Sequence, residues 1–144
     1  MERKKYFPLW MCMITAALAF VCALSLYGCT AKKLDSEKTK DIEFTVVKKE
    51  EIPEELKKKI EAEKENPLKL TYGDGEYLYI VRGYGKQETT GYSIEVKAVY
   101  ETKNAVYIQT ELKGPARDEE ILEKTTCPYV VVKIEYRETH VVFE

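Results

Sequence analysis

The chain has 144 residues, a third of them charged, with 25 acidic side chains against 23 basic ones. That length holds one ordinary core, and an acidic balance without a clustered basic face excludes nucleic acid as the natural partner. Four cysteines, one histidine and one tryptophan leave little material for a metal cluster or a disulfide framework.

The first residues carry Arg3, Lys4 and Lys5, and no further charge follows until Lys32. This stretch ends in Leu26-Tyr27-Gly28-Cys29, a branched apolar residue three before a cysteine and a small residue directly before it. The pattern is that of a secretory signal over residues 1–28 with a bacterial lipobox, in which the Cys29 thiol carries diacylglycerol. Tyr27 is larger than the usual residue there. The alternative is an uncleaved anchor, because the run from Tyr6 to Ala31 is long enough to span about 30 Å of hydrocarbon as a helix. In both cases the rest of the chain is extracytoplasmic. Two or three acyl chains hold a protein on a bilayer stably, so Cys29 reads as a lipid anchor and the bilayer as one partner.

Cleavage after residue 28 removes three basic and one acidic side chain and leaves a formal balance of minus four. It also removes Cys12, Cys22 and Trp10. With Cys29 acylated, Cys127 is the one remaining thiol, which rules out an internal disulfide and is expected to be buried.

Residues 29–40 are the lipidated cysteine and a polar, aperiodic tether, and residues 41–144 form a single domain. Ile42 to Val47 reads as a first strand. The segment from Ile52 to Pro67 reads as a helix with Pro53 in its first turn and Asn66-Pro67 after its end. Ile52, Leu56 and Ile60 give it a narrow apolar stripe, and Glu54 with Lys58 and Glu55 with Lys59 form i,i+4 pairs on its solvated side.

Strands follow at 68–72 and 76–82, separated by the turn Gly73-Asp74-Gly75. Tyr77, Tyr79 and Val81 alternate with Leu78 and Ile80, so both faces of that strand are apolar and it belongs in mid-sheet. Residues 92–100 place Tyr92, Ile94, Val96, Ala98 and Tyr100 on one face, and a short connection leads to 105–112 as an antiparallel hairpin. The last strands are 129–136 and 140–144. The expected fold is α+β and mostly β, with one surface helix packed on an antiparallel sheet that forms a partial barrel or sandwich.

Catalytic patterns are scarce. Gly83 and Gly85 open a glycine-containing loop, but Glu88 stands where a third phosphate-binding glycine is needed and a strand follows instead of a helix. A serine–histidine pair would have to join Ser93 to His140, with no nucleophile elbow around either. One histidine without spaced carboxylates makes no metal site, and no cofactor motif is present. Nine tyrosines fall in the mature domain. Tyr84, Tyr92 and Tyr129 lie next to Gly or Pro at loop ends, where an amphipathic ring serves an interface.

Residues 77–100, Gly114-Pro115 and the segment Thr125-Thr126-Cys127-Pro128-Tyr129-Val130-Val131-Val132-Lys133-Ile134 together resemble the C-terminal domain of the PrcB family, lipoproteins described as subunits or stabilisers of a surface protease complex. The resemblance is carried by Thr89, Thr90, Gly91 and Tyr92 before a strand, by Pro115 after the next one, and by Thr126, Pro128 and Tyr129 at the start of the last core strand. Thr90 stands where that family usually has a glycine. The resemblance implies a non-catalytic, membrane-tethered module that binds an extracytoplasmic protein such as a protease through a loop containing Gly83, Thr89, Thr90, Gly91, Tyr92, Pro128 and Tyr129. The Thr-Thr-Gly-Tyr segment also resembles the wedge loop of the chagasin-like protease inhibitors, which makes direct inhibition the second expectation. The other loops of those inhibitors have no counterpart here.

Overall fold

The computed structural model describes residues 37–144; the signal segment and Cys29 lie outside the described residues. Two four-stranded sheets pack face to face, and one helix covers the outer face of one of them. The elements are β1 (Lys40–Asp41), β2 (Thr45–Val46), a single 3-10 turn (Lys49–Glu51), α1 (Glu54–Glu63), β3 (Pro67–Gly73), β4 (Tyr77–Tyr84), β5 (Ser93–Glu101), β6 (Ala105–Lys113), β7 (Tyr129–Glu135) and β8 (His140–Phe143). One sheet has the order β1-β5-β6-β8 and the other β2-β7-β4-β3. The sheets do not close into a barrel, so the α+β expectation resolves to a sandwich.

Three apolar layers follow from this arrangement. Ile52, Leu56 and Ile60 of the helical stripe lie on Tyr79, Val81 and Val131. The other faces of β4 and β7 present Leu78, Ile80, Val130, Val132 and Ile134 to Val99, Val106 and Ile108 of the facing sheet. Strand β4 runs between β7 and β3 and is covered on both faces, as its double alternation requires. On the far side of the β5–β6 sheet, Tyr100 stacks on Tyr107 with ring centroids 5.1 Å apart and an interplanar angle of 10°, beside Ala105. The Tyr100 hydroxyl donates to Glu144, and burial followed by that carboxylate raises its pKa.

Four features depart from the sequence reading. The first strand is broken: Lys40–Asp41 pairs with β5, and after a crossing at 42–44 Thr45–Val46 pairs with β7, so one segment closes a corner of both sheets. In β5 the register slips between Val96 and Ala98, a bulge at Lys97. Ile94, Val96 and Val99 therefore face the core while Ala98 and Tyr100 face away, and a strict alternation through 92–100 does not hold. Strand β8 joins β6 in parallel, from His140 opposite Ala105 to Phe143 opposite Ile108. On α1 the ion pairs found are Lys57–Glu54 at 3.8 Å and Lys64–Glu61 at 2.5 Å, both three apart, where the sequence suggests spacings of four.

Candidate functional site

Two loops meet at one end of the sandwich: 85–92, between β4 and β5, and 114–128, between β6 and β7. Each crosses from one sheet to the other, and the strand pairs Gly83–Tyr129 and Ser93–Lys113 hold their ends side by side, so contacts between the loops fix their outer parts. Gln87 and Thr126 form an isolated antiparallel bridge, with the Gln87 N–H donating at 2.8 Å and the Thr126 N–H returning at 3.0 Å. The Thr126 hydroxyl donates to the Thr89 carbonyl at 2.8 Å. Thr90 and Leu122 are joined twice: the Thr90 N–H donates to the Leu122 carbonyl at 3.1 Å, and the Leu122 N–H donates to Thr90 Oγ1 at 3.0 Å.

Gly91 completes the contact. Its φ of +88° lies in the region that side chains rarely adopt, and an added Cβ would fall 2.6 Å from Pro115 Cβ. The conformational question raised by Thr90 is answered here too, since no residue other than glycine has positive φ among those described. Thr90 keeps an ordinary backbone and uses its hydroxyl as an acceptor. The Tyr92 ring borders Gly114, whose added Cβ would come within 3.9 Å of it. A tight turn closes the other loop, where Ala116 N–H donates to Glu119 Oε2 at 3.1 Å.

Below the loops, Gly83 packs closely on Leu68 inside β4, where an added Cβ would lie 3.1 Å from the Leu68 Cβ. Tyr84 reaches across the sandwich, its hydroxyl within 3.0 Å of the Thr110 carbonyl and 2.9 Å of its Oγ1. The Arg82 guanidinium lies 4.1 Å from the centre of that ring and donates to the carbonyls of Leu68 and Gly83. These contacts tie the loop base to both sheets.

The structure gathers Thr89, Thr90, Gly91, Tyr92, Pro115 and Thr126 into one loop cluster. Tyr129 is elsewhere. It packs on the cluster between α1 and its sheet with Lys49 Nζ 5.5 Å from its ring centre, and burial, then Glu61, raises its pKa. Pro128 bridges the two regions through its carbonyl, which accepts the Tyr84 N–H at 3.3 Å. Cys127, between Thr126 and Pro128, is a half-buried free thiol. Ser93 and His140 stand opposite Lys113 and Ala105, at the two ends of β6 and roughly 26 Å apart, so they form no catalytic pair. Among the described residues no three His, Cys, Asp or Glu side chains converge as they would on a metal ion, and no helix is long and apolar enough to cross a membrane.

The sequence reading passed over Ile121 and Leu122. They are 49 % and 55 % exposed at the tip of the 114–128 loop, with Asp118, Glu119, Glu120 and Glu123 exposed around them. Their signal was an apolar pair set among charges with no partner at a strand or helix spacing. Their position is fixed, because Leu122 is the residue bonded twice to Thr90.

Residues 78–135 match the family model described as PrcB C-terminal. No curated protein and no solved structure matches the chain. The matched stretch begins in β4, ends with β7 and contains both loops of the cluster, so over these residues the chain is similar to the C-terminal domain of the PrcB family.

Proposed function

We propose that the protein is a non-catalytic accessory lipoprotein, tethered to the bilayer through acylated Cys29, that binds and stabilises an extracytoplasmic protein of a protease complex. The observation that carries this reading is the loop cluster itself, in which an exposed apolar pair is held in place by hydrogen bonds instead of hanging on a free loop. A connection as long as 114–128 with no helix or strand of its own is usually functional. Fixed apolar side chains with a charged rim are the common anatomy of a protein contact, and prior fixation lowers the ordering entropy of binding. The similarity of residues 78–135 to the PrcB C-terminal domain supports a protease-associated partner. Thr89 and Thr90 spend backbone groups on the neighbouring loop, which disfavours a wedge inserted on its own into an active-site cleft.

The test is capture from native membranes with the acylated protein. Wild type retains a discrete extracytoplasmic partner, Leu122→Asp loses it, and Tyr92→Ala weakens it. Capture unchanged by Leu122→Asp, in a variant that melts like wild type, would overturn the assignment of the surface. Cys29→Ala is expected to leave the chain unacylated; acylation of that variant would overturn the anchor.

A further inference from the structure

Strand β5 pairs with β6 along its length, but its other side is met only at one end. There β1 pairs with Tyr100 and Glu101, and the Ile42 N–H donates to the Val99 carbonyl. From Ser93 to Ala98 that side has no strand partner among the described residues. Such an edge offers unpaired backbone donors and acceptors to another strand. On its inner face Ile94 and Val96 contact the core yet stay only half-buried. On its outer face Glu95 and Lys97 are 2.8 Å apart, in a square completed by Glu111 and Lys113.

The pattern along this edge is acid, apolar, base. An antiparallel strand suits it best with a base opposite Glu95, an apolar residue opposite Val96 and an acid opposite Lys97. Read in its own chain direction, that ideal strand is also acid, apolar, base. The edge is its own complement.

We propose that the free edge of β5 is a two-fold contact between copies of this chain, with Val96 opposite Val96 and Glu95 opposite Lys97 of the second copy in both directions. Registers that keep like faces together differ by steps of two. The two neighbouring ones set Glu95 against Glu95 or Lys97 against Lys97, and like charges directly opposite are destabilising. Bulges and edge lysines usually keep strands from pairing. Here Lys97 meets a carboxylate of the second copy, so the same features confine pairing to three residues in one register. The start of β1 beside Tyr100 and the turn at Gly91 bound it on either side. The pairing also brings the Tyr92 end of one copy towards the β1–β2 corner of the other, where Phe44 and Val46 are exposed. The contact is small and of the transient class.

The full chain in excess detergent is examined by sedimentation from about 10 µM to 1 mM, a range spanning dissociation constants typical of weak contacts. Dimer is expected to grow over this range, and amide exchange at 94–97 to slow with concentration. Glu95→Lys alone and Lys97→Glu alone should each weaken dimerisation tenfold or more. An equimolar mixture of the two variants should restore it, because base–base chains then meet acid–acid chains; an effect within one chain cannot do this. A monomer at all concentrations, a dimer indifferent to both reversals, a mixture no better than its components, or concentration-independent exchange at 94–97 would each overturn the proposal. A dimer that persists in both reversals would point to association through another surface.

Discussion

Gly91 and Pro115 touch so closely that a methyl group on Gly91 would lie 2.6 Å from the Pro115 Cβ. Two loops whose ends are already side by side in the sheets are thereby locked together where a side chain would hold them apart. Gly91→Ala combines this clash with a φ of +88°, and is expected to destabilise the domain by about 2 kcal/mol or more in denaturant unfolding. Pro115→Gly in that background should recover part of the loss, since it removes the clash and leaves the backbone strain.

Thr126 and Thr89 supply a second, weaker lock. Thr126→Val keeps the shape and deletes the 2.8 Å hydrogen bond to the Thr89 carbonyl, at a cost of about 1 kcal/mol. Hydrogen exchange should then accelerate at Gln87 and Thr90 while the amides of β4 stay protected. Equal acceleration throughout β4 would mean that the loops are not a separate unit.

Asp74 governs the turn between β3 and β4. Its Oδ1 accepts the Tyr77 N–H at 2.7 Å and the Glu76 N–H at 2.9 Å, and those two bonds, Tyr77 first, hold its pKa below the ordinary carboxylate value. A carboxylate with a depressed folded-state pKa stabilises above its unfolded pKa, and the contribution is lost as pH falls through the folded value. The domain is therefore expected to lose stability below about pH 4 in part through this group. Asp74→Asn should be less stable than wild type at neutral pH, with the difference shrinking in acid. A gap that widens in acid would contradict the assignment.

Leu56 is fully buried between α1 and the sheet below it, with Ile60 and Val81 beside it. Leu56→Ala is expected to cost about 2–5 kcal/mol in urea unfolding, the range for a cavity that its walls close only partly. A loss under 1 kcal/mol would mean that the helix is not part of the cooperative core.

Local pattern made some of this legible and distance hid the rest. The stripe Ile52, Leu56 and Ile60 declared the helix, and the double alternation around Leu78 to Val81 declared a strand covered on both faces. The break after Asp41 was not visible, because Ile42 and Val47 are both apolar and spacing does not say that they face different core layers. Lys97 reads as an ordinary outward residue until β6 shows that it is the extra one. Of the candidate site, Thr89 to Tyr92 and Thr126 proved neighbours. Tyr129 has the same loop-end signature as Tyr92 but packs beside Lys49 and the helix, a choice made by tertiary contacts.

The central claim is that the loop tip around Leu122 faces an extracytoplasmic protein in the working assembly. A photo-activated cross-linker placed at position 122 in the native membrane tests it most directly, with position 58 on the solvated side of α1 as the control. The account predicts a discrete adduct with an extracytoplasmic protein at 122, weakened by Gly91→Ala, and none at 58. Adducts at 58 and none at 122 would contradict it.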